Sequence, residues 1–565
     1  MKDRNLLLLD KNRYLRISAI ATGLTLLLTG CGGGEESDSD SAAQTPSASL
    51  VSGPQPVAVN PLPNTSNATG FAVYIADEST NDEFEIFSYD PLSNSTVKIN
   101  PALGSCDGIT GVTWTPALNQ LVYTGQYNNS GANEIFLVNP DGTGRIKLSG
   151  TMTSGGNVVT FLVSPDNSRL AYIADQDSNG VNEVYSVNLN GTGRVKLNPA
   201  LVSGGNVTSI SWAPDGSRLV YRADQEVNDK FEIYSVIPNG TGLVKLNNSI
   251  QNSGDVLRWE WKGANSKIVY QVDQNLDEIY ELYSVDADGT NNIKLNPELP
   301  SGAYVRQEWS VSSDGRRVVY EADLESNNVE LFSVLTDGSG HVKLNSTLPF
   351  GGQITEWLWA PDGSRIVYIA DQNTSGIFDL YSVLPDGNNR MVLNSPLAAG
   401  GSFQSVQWTP NSSRVVYSAE QEVVGINELY SVNPDGTGFS KLNNQFVMGG
   451  SLASSGGWKI SPDSQQVAYL ADENTSNVFE LFTVPTDGSS GAVKVNSPLV
   501  SGGDVFEFDW SQNSAQLVYS ADQELNGVTE LYVVVDDGTS PANKLNGALS
   551  NGRNVTEFAW ANSIP

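Results

Sequence analysis

A tyrosine that ends a short apolar run recurs at Tyr74, Tyr123, Tyr172, Tyr221, Tyr270, Tyr320, Tyr368, Tyr417, Tyr469 and Tyr519, always 48 to 52 residues from the last. Self-similarity at so steady a period restricts the chain to a repeat architecture, in which each unit buries its faces only against its neighbours. That resolves a difficulty of size, because 565 residues exceed what one simple hydrophobic core holds. A tryptophan closes nine of the ten units, at Trp114, Trp212, Trp261, Trp309, Trp359, Trp408, Trp458, Trp510 and Trp560. The second unit ends in Phe161-Leu162-Val163 instead.

The unit at 207–250 shows the internal plan. Val207 to Trp212 reads as a strand, Ala213-Pro214-Asp215-Gly216 as a turn, and Arg218 to Asp224 as a second strand. A polar loop, a third strand from Glu232 to Ile237, the turn Pro238 to Gly242 and a short outer strand from Leu243 to Asn247 complete it. Pro, Asn, Asp and Gly stand where hairpin turns need a fixed or positive φ. The strands are near-continuous apolar runs such as Leu219-Val220-Tyr221, which implies burial on both faces. Four antiparallel strands in a unit of about 50 residues describe a propeller blade. The expected fold is therefore all-β, and helical periodicity is absent beyond the first thirty residues.

Ser-Pro-Asp-Asn-Ser-Arg (164–169), Ala-Pro-Asp-Gly-Ser-Arg (213–218 and 360–365), Glu-Leu-Tyr-Ser-Val (428–432) and Asn-Pro-Asp-Gly-Thr-Gly (433–438) carry a resemblance. They resemble the WD40-like blade repeats of TolB-type β-propellers, over residues 71 to 560. The resemblance speaks to fold and not to function. Such propellers close with about six to eight blades, whereas ten units stand here. The first unit begins at its second strand (Phe71 to Asp77) and the last ends with a first strand (Val555 to Trp560). A C-terminal strand beside the N-terminal one would close a single ten-bladed ring and leave no open edge, which favours it over two five-bladed rings or an open stack.

Lys2, Arg4, Lys11, Arg13 and Arg16 precede an apolar run from Ile17 to Leu28 that is too short to span a bilayer permanently. The run ends in Leu28-Thr29-Gly30-Cys31, which resembles the lipobox of bacterial lipoproteins. That resemblance implies a signal peptide at 1–30, lipidation of Cys31 with a palmitate-type acyl anchor, and, from Gly32, delivery to the outer membrane. Residues 31–68 are rich in Gly, Ser, Asp, Pro, Asn and Thr and read as a disordered tether, leaving 69–565 for the propeller. An acylated Cys31 leaves Cys106 alone, so no intramolecular disulfide is expected. The net charge is −32, and loss of residues 1–30 would leave 26 basic against 61 acidic residues. Such a surface repels nucleic acid and anionic headgroups and attracts cations or basic partners.

Catalytic signatures are sparse. The single histidine, His341, lies in a turn and reads as an exposed turn residue; one histidine makes neither a zinc cluster nor a triad. Paired acids recur from Asp77/Glu85 to Asp522/Glu530, flanking the loop between second and third strands, although Gly125 replaces the first acid of one pair. The best candidate for Ca²⁺ is Asp175-x-Asp177-x-Asn179-Gly180 with Glu183, although Ser186 stands where an EF-hand needs its bidentate acid. Acids kept in nearly every unit read first as architecture, satisfying backbone N–H groups and pairing with neighbouring blades.

Departures from the repeat are better pointers to a ligand. First strands carry Asp255, Arg258, Trp259 and Glu260, then Tyr304, Arg306 and Glu308, then Glu356 and Trp357, with Asp504, Glu507 and Asp509 later. Trp259 and Trp357 are candidate stacking platforms for a sugar or a partner side chain, or they pack between blades. The composite expectation is a monomeric, non-enzymatic envelope lipoprotein that binds a protein or glycan through a propeller face. A Ca²⁺-dependent adhesin and a polysaccharide lyase or glycosidase are the alternatives.

Overall fold

The computed structural model describes residues 72–76, 85–90, 95–101, 108–115, 119–546 (apart from 128–130, 252–253, 264–266, 277, 325–327 and 454–456) and 558–560. Cys31, the segment 1–68, Asp77 and Cys106 lie outside the described residues. Forty strands form ten four-stranded sheets, with no helix among the described residues. Each sheet is one blade, ordered first to fourth strand and antiparallel throughout. We number blades 2 to 10 by their first strands, which begin at Gly108, Val158, Val207, Val256, Val305, Ile354, Phe403, Trp458 and Val505. Blade 1 takes three strands from the N-terminal end, Ala72–Ala76, Glu85–Asp90 and Ser95–Lys98, and its first strand, Phe558–Trp560, from the other end.

That exchange joins the two ends of the propeller. Ala72, Val73 and Tyr74 pair with Trp560, Ala559 and Phe558, and the strand Phe558–Trp560 also contacts the first strand of blade 10. The pairing is the one closure requires, and it gives an otherwise open edge its partner.

Within a blade, second and third strands are buried along nearly their whole length, as the continuous apolar runs require. The repeated tyrosine stacks on a third-strand aromatic across the hairpin, Tyr221 on Tyr234 at 5.4 Å and Tyr368 on Tyr381 at 5.1 Å. Fourth strands are mostly two residues long, and an asparagine after Lys-Leu or its equivalent anchors them. The Oδ1 of Asn198, Asn247 and Asn345 accepts the third-strand N–H of Val184, Ile233 and Leu331 at 2.9 Å.

The core is a series of slices between blades rather than one mass. Val220 and Ile233 of blade 4 pack with Val256, Ile268 and Tyr270 of blade 5, and Val319 and Leu331 of blade 6 with Ile366 and Tyr368 of blade 7. Tryptophans that end first strands reach back across these slices. Trp212, Trp359 and Trp510 donate their indole N–H to the carbonyls of Leu162, Ser310 and Lys459 in the preceding blade, at 3.0 to 3.2 Å.

Strand register corrects the reading of two tryptophans. Trp212 and Trp359 lie opposite Leu219 and Ile366, but Trp309 and Trp458 lie opposite the repeated Tyr320 and Tyr469. That earlier position is also held by Trp259, opposite Tyr270, and Trp357, opposite Tyr368. Trp309 and Trp458 therefore belong with the two "extra" tryptophans, and Val311 and Ile460 take the later place.

Candidate functional site

The repeated acids are consumed by the fold. Asp175 is buried at the end of its second strand; one carboxylate oxygen accepts the N–H of Asn157 at 2.5 Å and the other that of Gly180 at 2.7 Å. It thereby clips the loop entering the blade to the loop between second and third strands. Asp224, Asp273, Asp371, Asp472 and Asp522 repeat the double acceptance. The second acid of each pair turns outward along the sheet. Glu183 is bonded by Lys196 at 2.8 Å and by the Tyr185 hydroxyl at 2.9 Å, and Glu232 by Lys245 at 2.7 Å and Tyr234 at 3.1 Å. Burial and the Glu183 carboxylate hold the Tyr185 phenol far above its ordinary value.

The acids expected to hold Ca²⁺ are therefore already engaged, with Asp177 and Glu183 meeting on Lys196. Asp175 is occupied by two backbone N–H groups, Asp177 pairs with Lys196 at 2.9 Å, and Asn179 lies exposed beside Gly155. The Lys196 ammonium, by its hydrogen bond, holds Asp177 below the usual carboxyl range. Among the described residues no group of three or more His, Cys, Asp or Glu side chains is arranged to hold a metal ion. His341 is exposed as read, but it has a structural task. Its Nε2 lies 2.7 Å from the buried Tyr320 hydroxyl, and its ring stacks on Phe332. In sister blades that hydroxyl bonds a glutamine four residues on, as Tyr221 does Gln225, and blade 6 has Leu324 there.

The first strands of blades 5 to 7 are where the pattern changes. Each first strand borders the central channel of a propeller, and most carry a one-residue bulge near their start, as between Val256 and Arg258. In blade 6 the bulge is wider: Arg306, Gln307 and Glu308 all stand opposite Glu321 alone. Gln307 and Glu308 are exposed, Arg306 is half-buried over the Tyr304 ring, and its Nε is buried without a hydrogen-bond partner.

A tryptophan opposite the repeated tyrosine faces polar partners from the blade before it. Trp309 donates to Gln271 at 3.0 Å and lies under the Arg258 guanidinium, whose centre is 4.4 Å from its ring; Trp458 donates to Ser405 at 3.0 Å. Trp357 hydrogen-bonds Glu321. The buried indole N–H of Trp259 is without a partner. Trp259 and Trp357 are both set half-buried into the blade interfaces. Arg258 is also ion-paired with Glu260, which is buried and accepts the N–H of Val311 at 2.9 Å, with Lys262 at 3.2 Å. Arg258, Glu260 and Lys262 thus tie blade 5 to blade 6, whereas the Arg306 Nε is left without a partner beside an exposed Glu308.

Glu321 had no place in the sequence reading, because it lies on a second strand directly after the repeated tyrosine, where Ile173 and Ile369 are aliphatic. Burial pushes its carboxyl up to about 7, the Glu308 carboxylate adds to the rise, and the Trp357 indole and Arg306 oppose it. The signal available beforehand was weak, because the residue after the repeated tyrosine is already polar in several sister units, as at Arg222 and Gln271.

No family model and no curated protein matches the sequence. Solved structures do align with it. The tricorn protease is 15% identical over 83% of this chain, with a TM-score of 0.27, and this chain spans about half (49%) of that one. A protein assigned as TolB from Agrobacterium tumefaciens is 14% identical over 45% of this chain and 83% of its own, with a TM-score of 0.26. The β-propeller domain of the Trilobed protease from Pyrococcus furiosus is 17% identical over 60% of this chain and 97% of its own, with a TM-score of 0.30. These likenesses concern fold alone, and the ten four-stranded antiparallel blades, with both chain ends sharing one of them, make this chain a β-propeller.

Proposed function

We propose that the protein is a non-catalytic binding module, held at the cell envelope by lipidation of Cys31, which takes a protein or glycan ligand at the channel side of blades 5 to 7. One observation carries the reading. Acids of the repeat are committed to backbone clips and lysine pairs, while blade 6 spends a wider bulge on presenting Gln307 and Glu308 to solvent beside an unpartnered Arg306 Nε. A bulge re-aims side chains at a sheet edge, and fold stability gives no reason for exposing them here. A ligand with neighbouring hydrogen-bond donors and acceptors, such as a peptide backbone or sugar hydroxyls, suits a guanidinium beside a carboxylate.

A specific observation also favours a second reading. Two neighbouring carboxyls in different environments, Glu321 raised to about 7 and Glu308 exposed, are the raw material of general acid–base cleavage of a glycan. One experiment separates them. Full-length protein is titrated with envelope polysaccharides and peptidoglycan fragments while product release is followed. The expected result is binding without turnover, weakened about tenfold, or ~1.4 kcal/mol, by Arg306→Ala with Glu308→Gln. Turnover that disappears in Glu321→Gln would replace the binding reading with the enzymatic one.

A further inference from the structure

Loops that enter the blades turn through the same tight bend, closed by a hydrogen bond from the second glycine (or its equivalent) to the residue three before it, as from Gly352 to Pro349 and Gly450 to Val447. The third residue of each bend has φ near +80°, as at Gly351 (77°), Gly400 (88°) and Gly449 (84°), so the residue before it is set at the outermost point. In four of these bends that tip is serine: Ser154, Ser203, Ser301 and Ser501. Three consecutive ones carry Phe350, Ala399 and Met448 instead. Phe350 and Met448 are fully exposed, at 102% and 98%. Serine serves the same bend elsewhere, so the fold does not demand these apolar tips.

The same face of the same blades adds more apolar surface. Ile377 at the start of the third strand of blade 7, and Val423 and Val424 in the loop between second and third strands of blade 8, are each more than half exposed. The entering loop of blade 8 is tied to that neighbour by a hydrogen bond from the Ala398 N–H to the Glu420 carbonyl at 3.1 Å. A fully exposed phenylalanine offers on the order of 200 Å², and with Met448 and the half-exposed Ile377, Val423 and Val424 the sector presents roughly 500 Å² of apolar surface, the size at which a patch marks an interaction site.

We propose that this sector is the interface of a two-fold dimer of the chain. Two features point to a second copy. The tips are arranged large, small, large, with Phe350 and Met448 one blade to either side of Ala399. A two-fold axis through Ala399 sets Phe350 of each copy on Met448 of the other, the reciprocal pairing an isologous interface requires, and the small central residue permits close approach. The second feature is charge. Two molecules of net charge −32 repel, yet the three tip loops, 346–353, 395–402 and 444–451, contain no charged residue. In the adjoining loop Glu422 is neutralised by Lys441 at 3.0 Å. With no basic residue in those tip loops, the patch lacks what a bilayer-docking surface uses. Dimerisation replaces the monomer expected from sequence.

The test places a photo-activated crosslinking amino acid at position 399 of the full-length protein in intact cells, alone and with Phe350→Ser and Met448→Ser. Serine is what sister bends carry, so folding is retained, and an unchanged melting temperature verifies it. The expected result is an adduct of twice the chain mass containing only this protein, reduced at least fivefold by the two serines. No adduct, an adduct with another protein or with lipid, or a doubled adduct indifferent to the serines would each overturn the dimer.

Discussion

Glu321 occupies a position where sister blades place residues as different as Ile173, Arg222, Gln271 and Leu470, and its surroundings turn an acid there into a pH-dependent term. From its own blade it is faced by Glu308 and Arg306, and from blade 7 by the Trp357 indole. Its folded-state value of about 7 lies above the ordinary 4.5, so between these values the folded protein holds the extra proton. The contribution to stability is whole below about pH 4.5 and is lost as pH rises through 7. Glu321→Gln should remove up to about 3 kcal/mol of that decline, read as the difference between urea unfolding free energies at pH 5 and pH 8. Parallel pH profiles for the two proteins would show that Glu321 is not the group that titrates. The residue scale is also where the sequence was legible but misread. Trp212, Trp359, Trp408 and Trp510 precede their tyrosines by 9 residues, whereas Trp259, Trp309, Trp357 and Trp458 precede theirs by 11. In a strand a two-residue shift keeps the side chain on the same face but moves it one pleat along, so composition alone could not separate the two sets.

Turns, strand order and the outer Lys-Leu-Asn strands follow from sequence because hairpin chemistry is local, and acids that recur in nearly every unit point to a role in the blade. What pairing each acid made was not legible, because Asp224 gathers N–H groups from Asn206 and Asp229, which lie on opposite sides of it in sequence and in separate loops. Removing the buried carboxylate unclips two loops whose N–H donors are themselves half-buried or exposed and can turn to water. Asp224→Ala should cost about 1–3 kcal/mol, measured by chemical denaturation, and Asp472→Ala the same, since it makes the same clip. Glu226→Ala, an exposed partner of Lys245, should cost under about 1 kcal/mol. With Asp175 taken by backbone N–H groups and Asp177 and Glu183 by Lys196, millimolar Ca²⁺ or EDTA is expected to move the melting temperature by less than about 1 °C, because a ligand stabilises only by binding the folded state. A rise of several degrees with Ca²⁺ would restore the cation site.

Taken as a whole, a propeller of ten blades depends on its last contact more than its first. Nine blade interfaces contribute a slice of core among the described residues and are guaranteed by covalent order, and in a closed ring a tenth would be made where Phe558–Trp560 lies along Ala72–Tyr74 and against the first strand of blade 10. An open stack of the same blades would lose little if its final strand were removed, since its end is already exposed. A closed ring would lose the strand pairing and the interface together, leaving Ala72–Ala76 as an unpaired edge able to recruit another chain. Ending the chain at Asn546 distinguishes the two. Closure predicts a melting temperature lowered by roughly 5 °C or more and association that grows with protein concentration in sedimentation velocity. The Phe350→Ser, Met448→Ser background removes the tip interface from that measurement, so the association that remains reports on the bared edge. A truncated chain with the parental melting temperature and no such association would mean that the paired ends do not hold the blades in a ring.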